Sequence, residues 1–251
     1  VQSLSGSLPP VPLSEIVQLA ECKRVVQVEV VGGAECVAVL CGRSRSVRLF
    51  TWDELKDPDC GGSKLPDTRG VTVLAQGSLA QGTQPCLCVA IKRQVLCYRL
   101  APGAPRCARL CEVQAPAPVQ WLGVFGDRLC VGYPSGFSLY SLVKEVPPVA
   151  LLSPEDPSLL PLPQPPAPDA LCAVEIARNE LLLCFASVGL YVDCRGRRAR
   201  HRELMWPSLL THCCYSAPYL LAYSESGIHV FDVKSMEWVQ TIAVQKVRIA
   251  F

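Results

Sequence analysis

The sequence predicts an all-β fold, a β-propeller of six to seven four-stranded blades, and three observations lead there. Five segments repeat one hairpin pattern, and their turn centres lie about 40 to 50 residues apart, the period of one four-stranded blade per repeat. Within the repeats apolar residues fall at every second place, as in Ile228-His229-Val230-Phe231-Asp232-Val233, which a half-buried strand requires. Helical periodicity is scarce: Pro occupies 22 positions, and the best helical stretch, residues 13–20, is two turns long.

Taken in order, residues 1–13, with Pro9, Pro10 and Pro12, read as a linker ahead of a propeller over 14–251. A first strand is expected at about 25–31. The repeats follow as VAVLCGRSRSVRLFTW (37–52), LCVAIKRQVLCYRL (87–100), LCVGYPSGFSLYSL (129–142), LLLCFASVGLYVD (181–193) and LLAYSESGIHVFDV (220–233). Each is a short apolar strand, a tight polar or Gly-containing turn, and a second strand ending near an aromatic residue, the middle pair of a blade. Residues 146–169 hold nine prolines and read as a mobile insertion between blades, too Pro-rich for a central strand. A strand at 238–244 is expected to begin a further unit and to close the ring with 25–31, since an open ring exposes strand edges.

Half of the residues are apolar, 18% are charged and the net charge is +2, which excludes a disordered tail and a polybasic nucleic-acid binder. The chain opens on Val1 without a signal pattern, and the expectation is a segment of a larger protein. Stretches without charge, such as residues 207–224, carry prolines and hydroxyls and are unlike a membrane span. Fifteen cysteines are an odd number, and Cys41, Cys88, Cys97, Cys130 and Cys184 sit in apolar strands. Buried reduced thiols are expected, placing the chain in the cytoplasm.

The stretches DALCAVEIARNELLLCFASVGLYVDCRGRRARHRELMWP (169–207) and CCYSAPYLLAYSESGIHVFDVKSMEWVQTI (213–242) closely resemble the citron homology domain. The resemblance is to the version found in myotonic-dystrophy-kinase-related serine/threonine kinases, effectors of a Rho-family GTPase, and most of all to the gamma form. It implies seven blades, with a further strand pair beyond 247–251, and a parent with a kinase domain, coiled coil and lipid-sensing modules. It also implies action on actomyosin at the cell's leading edge. The domain itself would be a non-catalytic interaction module, its partners a small GTPase or another protein, or the parent kinase through an intramolecular contact.

The residues that carry chemistry point the same way. His201-Arg202-Glu203-Leu204 is similar to the start of a kinase catalytic loop, but Glu203 stands where Asp is needed and Ser208 where Asn is needed. Gly132-Tyr133-Pro134-Ser135-Gly136 breaks the spacing of a hydrolase elbow and reads as a hairpin turn. Cys107 and Cys111 have knuckle spacing without a second pair, and Cys213-Cys214 beside His212 has no partner at a zinc-site distance. No catalytic, cofactor or metal residue is assigned.

Leu204-Met205-Trp206-Pro207 and Met236-Glu237-Trp238 are expected to plug the gaps between blades. Arg195, Arg197, Arg198, Arg200 and Arg202 form the one charge feature above background. Their guanidinium forks suit phosphates and carboxylates, so loop 195–202 is the candidate interaction site for an acidic protein face or, alternatively, for phosphoinositide-assisted membrane targeting.

Overall fold

The computed structural model describes residues 19, 21–101, 107–134, 136–152 and 169–244. These fold into five four-stranded antiparallel sheets, each a meander of consecutive strands. Blade 1 is β1 (Gln27–Val31), β2 (Cys36–Cys41), β3 (Ser46–Thr51) and β4 (Ser63–Lys64). Blade 2 is β5 (Val73–Leu79), β6 (Gln84–Ile91), β7 (Gln94–Leu100) and β8 (Cys107–Gln114). Blade 3 is β9 (Trp121–Phe125), β10 (Arg128–Tyr133), β11 (Gly136–Ser141) and β12 (Val149–Ala150). Blade 4 is β13 (Ala170–Ala177), β14 (Glu180–Phe185), β15 (Val188–Asp193) and β16 (Leu204–Met205). Blade 5 is β17 (Leu210–Ser216), β18 (Tyr219–Ser224), β19 (Gly227–Asp232) and β20 (Glu237–Ala243).

The repeated hairpins of the sequence are the middle pairs β2–β3, β6–β7, β10–β11, β14–β15 and β18–β19. The described residues form five such blades. One expectation changes. The strand at 238–244 is β20, the fourth strand of blade 5, and does not share a sheet with β1. The reason is local: the Asp232 carboxylate accepts the backbone N–H groups of Lys234 (2.8 Å) and Ser235 (3.1 Å), turning the chain straight back along β19. The Pro-rich segment 146–169 supplies β12, which Pro tolerates because it is an edge strand. Residues 153–168, the linker 1–13 and most of the helical candidate 13–20 lie outside the described residues.

Hydrophobic seams hold each blade to the next. Leu40, Leu49, Leu87 and Tyr98 join blades 1 and 2, and Leu79, Val95, Leu129 and Tyr140 join blades 2 and 3. Phe137, Leu139, Leu183 and Phe185 join blades 3 and 4, and Leu182, Tyr191, Leu220 and Phe231 join blades 4 and 5. The aromatic residue noted near the end of four of the hairpins is a seam residue, Tyr98, Tyr140, Tyr191 and Phe231, while Phe50 is buried in a separate cluster of blade 1 with Val37, Val39 and Cys41. Each buried tyrosine hydroxyl donates to a backbone carbonyl of a neighbouring blade or connection, Tyr98 to Pro66, Tyr140 to Gln114 and Tyr191 to Val233. A buried phenol left unpaired would cost more than its ring gains at the margin, so these bonds set where the blades dock.

Candidate functional site

The first strands of all five blades line a central cavity of about 860 Å³. Two glutamines at its wall clip adjacent blades together. The Gln27 side chain donates to the Leu74 carbonyl and accepts the Leu74 N–H, both at 2.9 Å. Gln120 accepts the Ala170 N–H at 2.9 Å and donates to Asp169 at 2.6 Å. Glu29 also faces the cavity, where burial raises its carboxyl above the usual range against the opposing bond from Gln27. These glutamines are spent on the scaffold.

The arginine loop joins β15 to β16. Antiparallel alternation puts it at the same end of the strands as the β13–β14 turn and the β19–β20 turn. Gly196, in the left-handed region at φ +78°, fits it under blade 3, because a Cβ there would stand 2.3 Å from the Ala150 carbonyl oxygen. Asp193 organises the first half by accepting the N–H groups of Arg195 (2.8 Å) and Arg197 (3.0 Å) and the Arg197 guanidinium. Burial works to raise the Asp193 carboxyl, yet the bonds from Arg197 and Arg195 prevail and hold it below the usual carboxylate range.

Arg198 pairs with Glu203 and donates to the carbonyls of Arg200 and His201. Arg200 makes a fork to both Glu180 oxygens (2.6 and 3.0 Å), donates to the carbonyls of Val233 and Lys234, and lies 4.1 Å from the centre of the Tyr191 ring. The five arginines therefore do not form one open patch. Arg198 and Arg200 are half-buried fasteners of the loop, Arg197 is exposed but paired with Asp193, and Arg195 and Arg202 present exposed side chains.

The remaining motifs resolve into structure. Glu203 of the kinase-like tetrapeptide is the partner of Arg198. Gly132 to Gly136 span the β10–β11 hairpin, with Tyr133 opposite Gly136. Trp206 plugs the seam as expected, its indole N–H donating to the Phe185 carbonyl at 2.9 Å. Met205 and Trp238 depart from that expectation: they are 65% and 58% exposed, because β16 and β20 are the outer strands of their sheets. All fifteen cysteines are free thiols.

Sequence reasoning missed two arrangements that span blades. Arg128 of blade 3 pairs with Glu175 of blade 4 at 2.8 Å and donates to the Cys194 sulfur. Cys172, Cys184 and Cys213 converge, their sulfurs all within 4.8 Å of one another and all three residues buried. No local spacing signals either, since the partners are brought together by sheet register and blade stacking. No helix among the described residues is long and apolar enough to cross a membrane.

Five stacked meanders around a central cavity define a propeller scaffold whose side chains are spent on holding blades together. The family model described as "CNH domain" matches residues 5–250, and the chain belongs to that family. It is 49% identical over 236 residues to serine/threonine-protein kinase MRCK gamma of Mus musculus and of Homo sapiens, covering 94% of this chain and 15% of each kinase. To MRCK alpha of Rattus norvegicus it is 46% identical over 234 residues, 93% of this chain and 14% of the kinase. The chain thus spans about one seventh of the curated relatives it matches, and it is a propeller domain rather than a kinase catalytic domain. Among solved structures, the AfRom2 CNH domain superposes with a TM-score of 0.74 at 18% identity, over 92% of this chain and 74% of that one. The WD40 propeller domain of Doa1 gives 0.60 at 13%, over 92% and 72%.

Proposed function

We propose that this CNH propeller is a protein-docking and regulatory domain of a cytoplasmic serine/threonine kinase, and that it presents Arg195 and Arg202 to the acidic face of a small GTPase. The supporting observation is the division of labour in loop 195–202: Asp193, Glu203 and Glu180 fasten three arginines and thereby hold the other two in fixed, solvent-facing positions. Pre-ordering a charged loop removes part of the entropy cost of binding. An intramolecular contact with the parent kinase would use the same chemistry.

The test is binding of the purified chain to a panel of Rho- and Ras-family GTPases in both nucleotide states, alongside Arg195→Glu/Arg202→Glu. GTP-dependent binding to one member that falls at least tenfold in the variant is expected. Binding that survives the charge reversal, or none to any member, sinks the reading. A membrane-targeting role draws on a different observation: Val143 and Val146 are exposed around Lys144 in the β11–β12 connection, at the same end as the arginine loop. Salt-sensitive sedimentation with phosphoinositide vesicles, in place of GTPase binding, would favour it.

A further inference from the structure

At the seam of blades 4 and 5 three buried cysteines meet, one of which, Cys213, also lines the central cavity. We propose that Cys172, Cys184 and Cys213 form a site for a soft univalent metal ion, copper(I), held by two thiolates and one thiol. Cys172 and Cys184 face each other across β13 and β14, and Cys213 arrives from β17 of the next blade. Three sulfurs at about 2.3 Å from one metal stand about 4 Å apart, so sulfurs within 4.8 Å of one another need to close by less than about 1 Å.

The surroundings choose the ion. Val174, Leu182, Leu204, Leu210 and Ala222 share one buried cluster with the three cysteines and offer no fourth ligand. His212, the neighbour of Cys213 in the chain, packs its ring against Tyr223 and is not one of the converging group. Structural zinc closes its shell with four ligands, whereas thiolates alone select copper(I) among soft ions. Burying charge is costly, which limits how many protons leave. Binding Cu⁺ with loss of two protons leaves the site at −1, the charge of a single thiolate, and copper keeps its valence, so no oxidant or reductant enters.

Blade 2 supplies an internal control. Cys88, Cys97 and Cys111 stand in register across β6, β7 and β8, with Cys86 two residues away, but they run along one sheet and do not converge on a point as the trio does. The chain, freed of metal and kept reduced without oxygen, is loaded with copper(I) and challenged with a chromogenic copper(I) chelator. One copper per chain is expected to remain, with a thiolate-to-copper charge-transfer band in the ultraviolet. Cys184→Ala and Cys213→Ala should each lose both signals while keeping the β circular-dichroism spectrum, and Cys97→Ala should retain them. Failure of the folded chain to hold copper, or equal retention in a folded Cys184→Ala or Cys213→Ala variant, overturns the site. Preferential retention of zinc(II) in parallel loading overturns the univalent assignment.

Discussion

Within eight residues of blade 4, five arginines with the same chemistry take up different work, and their neighbours decide which. Arg200 has the densest set of partners. Its side chain is 22% exposed, and its fork to Glu180, its two carbonyl bonds into blade 5 and its stacking on Tyr191 tie blade 4 to blade 5 at one end. A charge-assisted fork this sheltered is worth more than a surface pair, and removing one member strands the other. Arg200→Ala is therefore expected to cost about 2 kcal/mol, within the range for hydrogen bonds to charged groups. Urea unfolding of Arg200→Ala, Glu180→Ala and the double variant measures it. The double variant should lie well short of the sum of the singles. Additive losses would mean that the fork contributes nothing as a pair. The composition of 195–202 made the cluster visible in the sequence. Which arginines stay free depended on Glu180, twenty residues upstream in a neighbouring strand, and that pairing becomes visible only with the register of β14 and β15.

The hairpins could be read from sequence because short, largely apolar strands buried on both faces are joined by turns of polar or glycine residues. Strands β4, β12 and β16 could not, since two residues have no period, and β12 also sits among prolines. The inner strands answer to a further constraint, the close approach of neighbouring blades around the cavity. Gly77 of β5 meets Val124 of β9 so closely that a Cβ at position 77 would lie 2.4 Å from the Val124 side chain. A methyl group there has to push blade 3 away from blade 2 along its inner edge. Gly77→Ala is thus expected to destabilise by about 1–3 kcal/mol, the cost of overpacking a filled site. Val124→Ala in the same chain should recover only part of it, because it removes Cγ1 but leaves the Val124 Cβ, which also lies 2.4 Å from the new methyl. Thermal melts of the two single variants and the double variant decide the matter. A Gly77→Ala chain that melts with the unsubstituted protein would show that the inner strands yield freely, and that the seams rather than the cavity wall space the blades.

Among the described residues four seams are filled and blade 1 has a further buried cluster of Val37, Val39, Cys41 and Phe50, while the last strand of blade 5 is uncovered. On β1, Val28 and Val30 are exposed, and every residue of β20 is exposed, with Trp238, Val239 and Ile242 among them. Seven residues of uncovered edge strand, four of them apolar and none a proline or lysine, are unusual, because such an edge offers unpaired N–H and C=O groups beside a sticky surface. Elsewhere the outer strands are two residues long, or, as β8, carry Arg109 and Glu112 in an ion pair that blunts the edge. The chain studied alone should therefore self-associate through blade 5 as its concentration rises. Placing lysine on the edge, as Trp238→Lys/Ile242→Lys, should suppress that association. The same change should move stability by no more than about 0.5 kcal/mol, since neither side chain belongs to a seam. Sedimentation velocity over a concentration series separates the outcomes. A shift to larger species that the double lysine variant abolishes assigns the contact to β20. A single species at every concentration would mean that the edge is kept apart by the charges around it, and a shift that persists in the variant would move the contact to β1 and its exposed valines.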